Sequence, residues 1–283
     1  MAFSNTSSLT INCNGSLIDL KSPKVMGILN VTPDSFYDGG TYSKLSDVLK
    51  HVEHMLTNGA TFIDVGAYSS RPNADDVSET EELERSVPVI EAISKTFPEA
   101  LISIDTFRSS IAKACVNAGA SLVNDISAGQ LDKEMMPTVA TLQVPYIMMH
   151  MKGTPQTMTS NTNYDNLTKD ILFYFSEKIS EANTLGINDI ILDVGFGFSK
   201  TREQNFELLD HLDSFNITGL PMLVGLSRKS TIYKTLNTTA SKALNGTTAM
   251  HAWALQQGSN ILRVHDVKEA MEVITLYNAL KSN

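Results

Sequence analysis

VMGILNVTPDSFYD (residues 25–38) joins a mostly apolar run to a polar turn. Residues 25–31 have the length and continuity of a strand that is covered on both faces. Thr32-Pro33-Asp34 cannot continue this strand, because proline lacks a backbone N–H and favours turns. The strand is therefore predicted to end at Asn30, which places a polar side chain at the edge of a hydrophobic core.

The same pattern, a short apolar run that breaks into a polar segment, recurs seven more times along the chain. Helical patterns separate the further runs, which are FIDVGA (62–67), LISIDT (101–106), LVNDIS (122–127), PYIMMH (145–150), IILDVG (190–195), PMLVGLS (221–227) and NILRVHD (260–266). Buried strands that alternate with helices indicate a parallel sheet with helical crossovers. Eight such units fit a closed (β/α)8 barrel better than an open doubly wound sheet.

Residues 9–20 form a separate pattern at the start of the chain. They alternate around Asn14-Gly15, a strong signal for a two-residue hairpin turn. We expect this hairpin to cover one end of the core. No linker or change of composition divides the remainder, so we predict an N-terminal segment with the hairpin (1–24) and a single-domain α/β (β/α)8 TIM barrel (25–283).

Composition narrows the class of protein. The 283 residues are 42% hydrophobic and 19% charged, which is typical of a globular domain. A net charge of −9 without a basic run argues against nucleic acid or an anionic membrane as the main partner. The two cysteines are predicted to be free thiols. The first residues lack a basic start and an apolar signal region, so we expect a cytoplasmic protein.

Side chains suited to chemistry collect at the carboxyl ends of the predicted strands, where barrels of this kind build their active sites. They are Asn30, Asp64, Asp105, Asn124, Asp125, His150, Asp193, Arg263 and His265, with Ser70-Arg71 and Arg228-Lys229-Ser230 just beyond. One polar residue in a strand is usually a satisfied structural group. A set that converges from most of the strands indicates a site, although Asp64 is expected only to brace a neighbour.

The set divides into two chemistries. Acceptor-rich side chains suit a flat heterocycle that offers several N–H donors, and they are Asp105, Asn124 and Asp193. Cationic side chains suit phosphate or carboxylate, and they are Arg71, Lys229, Arg263 and His265. The amide oxygen of Asn30 is a ligand that Mg²⁺ accepts beside water and phosphate oxygens. The residues therefore predict a small-molecule site for a polar heterocycle linked to an anion.

Eight motifs follow one another along residues 25–267. They are GILNVTPDSF (27–36), SSRP (69–72), SIDT (103–106), NDIS (124–127), MMHMKGTP (148–155), LDVGFGFSK (192–200), LVGLSRKS (223–230) and RVHDV (263–267). In this order they resemble the motifs of the dihydropteroate synthase family. The resemblance implies a transferase of folate biosynthesis that condenses 6-hydroxymethyl-7,8-dihydropterin diphosphate with 4-aminobenzoate, giving 7,8-dihydropteroate and pyrophosphate. It also implies Mg²⁺ as cofactor, a homodimer formed through late helices, and the family's role as a sulfonamide target.

The resemblance also assigns roles to residues. It places the pterin against Asp105, Asn124, Met148, Asp193, Lys229 and Arg263. It places the diphosphate and its Mg²⁺ against Asn30, Arg71, Arg263 and His265, with Asn30 as the metal ligand. It forms the aminobenzoate site from Ser70, Arg71, Pro72, Phe198, Lys229 and Ser230. The expected catalytic set is Asn30, Arg71, Asp105, Asp193, Lys229, Arg263 and His265.

Two motifs depart from the family pattern. The usual GGESTRPG reads GAYSSRPN here, so that Tyr68 replaces a Glu, Ser70 a Thr and Asn73 a Gly. LDPGFGFGK reads LDVGFGFSK, which changes Val194 and Ser199. The second pair lies beside the expected site residues rather than at them.

Two other functions compete with the synthase. One is a pterin-dependent methyltransferase barrel, which needs no diphosphate clamp, so Arg71 and Lys229-Ser230 argue against it. The other is a non-catalytic pterin-binding barrel, in which we would expect eroded residues at the strand ends. For the synthase, the polar loops 32–42 and 67–77 are expected to be mobile in the free enzyme and to complete the aminobenzoate site only after the pterin diphosphate binds.

Overall fold

The computed structural model describes residues 9–31, 41–68 and 77–281. Eight parallel strands close into a barrel and follow one another in chain order, and the last strand pairs with the first. They are β3 (Lys24–Asn30), β4 (Phe62–Gly66), β5 (Leu101–Asp105), β6 (Leu122–Asp125), β7 (Tyr146–Met149), β8 (Ile190–Asp193), β9 (Met222–Val224) and β10 (Ile261–Val264). The predicted (β/α)8 barrel is confirmed.

Helices pack around the strands, as the alternating sequence pattern predicts. They are α1 (Thr41–Thr57), α2 (Glu79–Thr96), α3 (Ser109–Asn117), α4 (Met135–Leu142), α5 (Leu167–Thr184), α6 (Arg202–Asp210), α7 (Ser230–Thr235), α8 (Leu244–Gln256) and α9 (Val267–Lys281). Short 3₁₀ segments occur at Met158–Ser160, Leu212–Thr218 and Ala240–Lys242. None of the helices in the described ranges combines the length and the apolar character needed to span a bilayer.

The start of α2 shows how the sequence sets a helix boundary. The side chain of Ser78 accepts the backbone N–H of Glu81 at 3.3 Å, and the Glu81 carboxylate accepts the backbone N–H of Ser78 at 3.0 Å. This reciprocal capping box satisfies donors that the first helical turn leaves open. The capping pattern of Ser78 and Glu81 therefore sets the start of α2.

The N-terminal hairpin closes one end of the barrel. Its strands are β1 (Thr10–Cys13) and β2 (Ser16–Asp19), and both residues of the turn between them have positive φ. Apolar side chains of the hairpin pack against inward residues of the barrel strands, in a cluster of Ile11, Cys13, Leu20, Met26, Phe62, Leu122, Ile147, Ile191, Leu223 and Ile261. The expectation that the hairpin covers an end of the core is confirmed.

A polar layer follows this apolar one inside the barrel. Because side chains alternate across a strand, residues two positions beyond the apolar cluster also point inward. On four strands these residues are polar: Asp64, Asn124, Asp193 and Arg263. The strands thus place an apolar floor beneath a set of charged and amide side chains at the carboxyl end of the barrel.

Candidate active site

Arg263 is the centre of the polar layer. Its Nε donates to Asp64 Oδ2 at 2.6 Å, and its Nη2 donates to Asp105 Oδ2 at 2.7 Å. Asn124 Nδ2 donates to the same Asp64 oxygen at 3.0 Å. Asp64, which is fully buried, therefore fixes both the arginine and the amide, as the sequence suggested for a bracing residue.

Burial and neighbouring charges act in opposite directions on the pKa of Asp105. Burial raises its pKa to about 7, with Arg263 acting in the opposite direction and the neighbouring Asp64 adding to the rise. For the Arg263 guanidinium burial acts to lower the pKa, yet Asp64 and Asp105 raise it overall. Arg263 is therefore a permanent cation, and Asp105 depends on it for its charge.

Asp193 ends β8 on the inward side of the barrel. Its Oδ1 accepts the backbone N–H of Gly195 at 2.8 Å, which fixes the carboxylate at the start of the following loop. Burial raises the pKa of Asp193, and the nearby Lys229 ammonium is the largest influence against that rise. A buried acceptor of this kind suits a ligand that brings its own N–H donors.

Lys229 approaches the same place from the loop after β9. Its Nζ donates to the carbonyl of Phe196 and lies 5.0 Å from the centre of the Phe198 ring. Burial lowers the pKa of Lys229 to about 8, while Asp193 acts to raise it. Lys229 directly precedes α7, whose first residue is Ser230.

The loop after β8 can approach the site only because it contains glycine. Gly195 has a φ of +72°, and a Cβ there would lie 2.1 Å from the carbonyl oxygen of His150. Gly197 has a φ of +80°, and a Cβ there would lie 3.3 Å from Cδ of Lys229. The GFG sequence therefore lets the backbone pass between β7 and the Lys229 side chain.

His265 follows β10 and is held by the loop after β9. The Oγ of Ser227 lies 2.9 Å from Nδ1 of the His265 ring and accepts the backbone N–H of the same residue at 3.1 Å. Ser227 thus fixes both the main chain and the ring. His265 continues the inward alternation of Arg263, two residues earlier.

Asn30 ends β3, and its side chain is exposed. It pairs in register with Gly66 at the end of β4, and Gly66 lies against the Asp105 side chain. Asn30 therefore lies at the rim, one layer above Asp64. The predicted residues that the strands and the segments after them bring to this end of the barrel are Asn30, Asp105, Asn124, Asp193, Phe198, Lys229, Ser230, Arg263 and His265.

The remaining predicted residues differ in placement. Ser70, Arg71 and Pro72 lie outside the described residues, as do most of the two polar loops for which mobility was expected, so those expectations stay predictions. Met148 points outward into the layer between barrel and helices, in register with Leu192. The inward methionine is Met149, paired with Asp193 and clustered with Phe198, so the expectation of Met148 in the pocket is corrected by one residue.

Three polar residues of the predicted set face away from the site. Asp125 accepts the Tyr146 hydroxyl at 2.6 Å and backbone N–H groups that turn the chain after β6. His150 packs edge-on against Tyr174 with ring centres 4.8 Å apart. Arg228 binds both carboxylate oxygens of Asp266 and two backbone carbonyls. The outward direction of Asp125 could have been predicted from the sequence, because neighbours in a strand face opposite sides and Asn124 faces inward.

Comparison with known proteins agrees with this geometry. The family model described as pterin binding enzyme matches residues 26–265. The dihydropteroate synthase of Escherichia coli strain K12 is 43% identical over 95% of both chains. That of Haemophilus influenzae is 41% identical over 96% of this chain and 98% of the relative.

Solved structures agree as well. A Yersinia pestis dihydropteroate synthase in complex with a sulfonamide drug is 42% identical and superposes with a TM-score of 0.91, over 97% of this chain and 100% of that one. A Xanthomonas albilineans dihydropteroate synthase with 4-aminobenzoic acid is 36% identical with a TM-score of 0.90, over 98% of this chain and 99% of that one. A match of this extent covers both the barrel and its polar layer. The chain therefore belongs to the dihydropteroate synthase family.

Proposed function

We propose that the carboxyl end of the barrel joins 6-hydroxymethyl-7,8-dihydropterin diphosphate to 4-aminobenzoate and releases pyrophosphate. The reaction transfers a pterinylmethyl group and forms 7,8-dihydropteroate for folate biosynthesis. The observation that carries the proposal is the set of buried and half-buried polar side chains at the carboxyl end of a barrel that belongs to this family. They are Asp105, Asn124, Asp193, Lys229 and Arg263.

The pterin is proposed to bind over Asn124, Asp193 and Lys229. A pterin presents N–H donors along a guanidine-like edge and acceptors beside them, which the carboxylate, the amide and the ammonium complement. Asp193 is held by the Gly195 N–H and Lys229 by the Phe196 carbonyl, so both are oriented before a ligand arrives. This preorganisation limits the entropy that binding must overcome. Met149, rather than Met148, is positioned to line the pocket.

The diphosphate is proposed to lie towards Arg263, His265 and Asn30, with Arg71 from the loop outside the described residues. Arg263 uses Nε and Nη2 for Asp64 and Asp105, whereas its Nη1 has no hydrogen-bond partner in the described ranges. This nitrogen could meet an anion without disturbing the two carboxylates. His265, fixed by Ser227, follows on the same side of the strand.

Mg²⁺ remains a proposal, which the chemistry of the rim supports. Within the described ranges no group of three or more His, Cys, Asp and Glu forms a metal cage. Mg²⁺ usually keeps several waters and takes other ligands from a substrate's phosphates, so it needs few protein ligands. The exposed amide oxygen of Asn30 can serve as one of them. When bound with the diphosphate, Mg²⁺ would neutralise negative charge on the leaving group.

The residues of the chain would act by binding, orientation and electrostatics. The arylamine is neutral and nucleophilic near pH 7, so the attack needs no strong base. The described site accordingly offers cations for the departing pyrophosphate rather than a paired nucleophile and base. Asp105 and Asp193 would stabilise positive charge that develops on the pterin as the C–O bond breaks.

The proposed reaction predicts that pyrophosphate release requires both substrates. Wild-type protein with the pterin diphosphate, Mg²⁺ and 4-aminobenzoate should form dihydropteroate and pyrophosphate in equal amounts. Chelation of Mg²⁺ by EDTA should slow the reaction, and added Mg²⁺ should restore it. Phosphate-coupled detection together with chromatography of the product measures both.

Omission of 4-aminobenzoate is the control for spontaneous hydrolysis. Pyrophosphate release that does not depend on 4-aminobenzoate would contradict the synthase and favour a binding barrel. Transfer of a methyl group from a methylated pterin would instead support the methyltransferase. Family membership with synthases over almost the whole chain supports the first outcome.

A homodimer through the late helices is proposed as well. The helices α8 and α9 pack together and expose large apolar side chains, namely Trp253 at 50%, Leu276 at 68% and Leu280 at 76%. Exposed apolar groups of this size on adjacent helices are typical of an association surface.

The cysteines Cys13 and Cys115 are buried free thiols, as predicted. The cytoplasmic location stays a prediction.

The dimer proposal predicts that Trp253→Glu converts the protein into monomers, because a buried charge at an interface is costly. Sedimentation equilibrium of the wild type and the variant measures this. Phe173→Glu, on the exposed face of α5, is the matched control and should leave the mass unchanged. A monomeric wild type would contradict the proposal.

A further inference from the structure

Lys200 is a buried lysine that the proposed reaction does not use. It ends the loop after β8, and only 8% of it is exposed. Its Nζ donates to the carbonyl of Gly195 at 3.0 Å and to the carbonyl of Phe198 at 2.9 Å, and it lies 3.1 Å from Nδ1 of His150. An ammonium has three N–H donors, so these three contacts satisfy it completely.

His150 supplies the third acceptor. Burial, and then the charge of Lys200, lower the pKa of His150 to about 2, so the ring is neutral in the working range and Nδ1 can accept a hydrogen bond from the ammonium. The ring is fixed by its edge-on contact with Tyr174. The backbone N–H of His150 also donates to the Asp193 carbonyl at 3.0 Å. The lysine is therefore attached to the rigid end of β7.

The two carbonyls that face Lys200 determine how the loop turns. Gly195 O also accepts the backbone N–H of Phe198 at 3.1 Å, which closes a tight turn. Within that turn, the Phe196 carbonyl accepts a hydrogen bond from the Lys229 ammonium. The Gly195 N–H accordingly points to Asp193. The Lys200 ammonium thus stabilises the turn whose backbone contacts the side chains of Lys229 and Asp193.

We propose that Lys200, anchored on His150, is a positioning residue that orients Lys229 for the pterin by holding the 195–198 turn closed. Lys200 would not touch the substrate. Its loss should let the Phe196 carbonyl turn away from Lys229, so that the ammonium is no longer held in place. The inference rests on the proposed function in one respect, that Lys229 binds the pterin.

Other charged groups surround this pair and bear on the choice of test. Asp193, Lys229 and Lys152 all influence Lys200 electrostatically, and burial, the largest influence, lowers the pKa of Lys200 to about 7. A dependence on pH would therefore mix several groups. Substitutions that change one hydrogen bond at a time are the sharper approach.

The first test is Lys200→Met, which keeps the length of the side chain and removes its donors. We expect kcat/KM for the pterin diphosphate to fall about 100-fold, the size of effect that misplacement of a binding group produces. Lys152→Met is the matched control, because Lys152 donates to the Asn163 carbonyl outside the turn. That variant should retain wild-type kcat/KM. Wild-type kcat/KM in folded Lys200→Met would overturn the proposal.

A double-variant cycle separates positioning from a general structural role. If Lys200 acts through Lys229, then Lys200→Met should change kcat/KM only about 2-fold when Lys229→Met is already present. A labelled 4-aminobenzoate allows the slow turnover of these variants to be measured. The same fold-loss in both backgrounds would show that Lys200 acts independently of Lys229, which would also overturn the proposal.

Variants of His150 keep the proposal testable if Lys200→Met does not fold. His150→Gln retains an acceptor for Lys200 and should remain close to wild type, whereas His150→Phe keeps an aromatic ring without the acceptor and should lose up to about 10-fold in kcat/KM. Thermal unfolding checks that both are folded. Equal kcat/KM for the two variants would contradict the anchoring role. An inactive wild type would instead refute the proposed function.

Discussion

Asp193→Ala is expected to weaken binding of the pterin diphosphate by about 2–5 kcal/mol while leaving the barrel folded. The carboxylate is buried at the end of β8 and is held by a single described N–H, that of Gly195, so most of its accepting capacity is available for a ligand. A ligand whose N–H groups enter that pocket without the carboxylate would be left with unpaired buried donors. Calorimetric titration measures the loss.

Asp193→Asn separates charge from shape. The amide can keep an oxygen towards Gly195, but its NH₂ group opposes the donors of the pterin, so we expect a loss close to that of the alanine variant. Asp47→Ala, at an exposed position on α1, is the control and should bind as the wild type does. An unchanged affinity of both Asp193 variants would refute the pterin pocket as placed here.

The repeated strand pattern was sufficient to predict the barrel and its polar layer. Parallel barrel strands are covered on both faces, so they appear in the sequence as apolar runs, and a polar side chain at the end of such a run stands out. The alternation of side chains along a strand then decides which of two neighbouring motif residues faces the site. Met148 and Met149 are adjacent in the motif, yet only Met149 shares the side of Asp193, because neighbours in a strand face opposite ways.

Loop geometry was the part that the sequence could not predict. Lys200 and Arg228 look like other loop cations in the sequence, but both bind backbone carbonyls that only the folded turns bring near. Arg228 itself has a positive φ, of 53°, which no local propensity for arginine indicates. The six residues of α7 are too few to establish an apolar period, so periodicity alone does not predict this helix.

Arg263→Ala is expected to impair both substrate binding and stability. The KM for the pterin diphosphate should rise far more than in the surface variant Lys50→Ala, whose side chain is 72% exposed. His265→Ala should raise the same KM, since both residues are proposed to face the diphosphate. Steady-state kinetics at saturating 4-aminobenzoate provide the comparison. If neither KM exceeds that of Lys50→Ala, the proposed diphosphate site is wrong.

The stability effect of Arg263→Ala follows from the two carboxylates that it would leave behind. Asp64 is fully buried and Asp105 is 22% exposed along its side chain, so both lose their cation in a poorly solvated place. Removal of one partner from a buried charge network costs about 3–5 kcal/mol, and the partial exposure of Asp105 favours the lower end. Urea unfolding measures the loss, and Arg202→Ala, in an exposed pair, is the control.

The loss should depend on pH with a definite sign. Burial already raises the pKa of Asp105 to about 7 with Arg263 present, and removal of the cation can only raise it further. Folding penalises such a carboxyl by an amount that grows as the pH rises from its unfolded pKa to its folded pKa and is constant above the folded value. The higher folded pKa of Asp105 in the variant therefore adds to the penalty only above about pH 7, the folded value with Arg263 present. Arg263→Ala should therefore cost more at pH 8 than at pH 5.5. Asp105→Asn in the same chain should remove much of this difference, because the amide has no charge to lose. A loss that is equal at both pH values would show that Arg263 stabilises the barrel by packing rather than by neutralising Asp105.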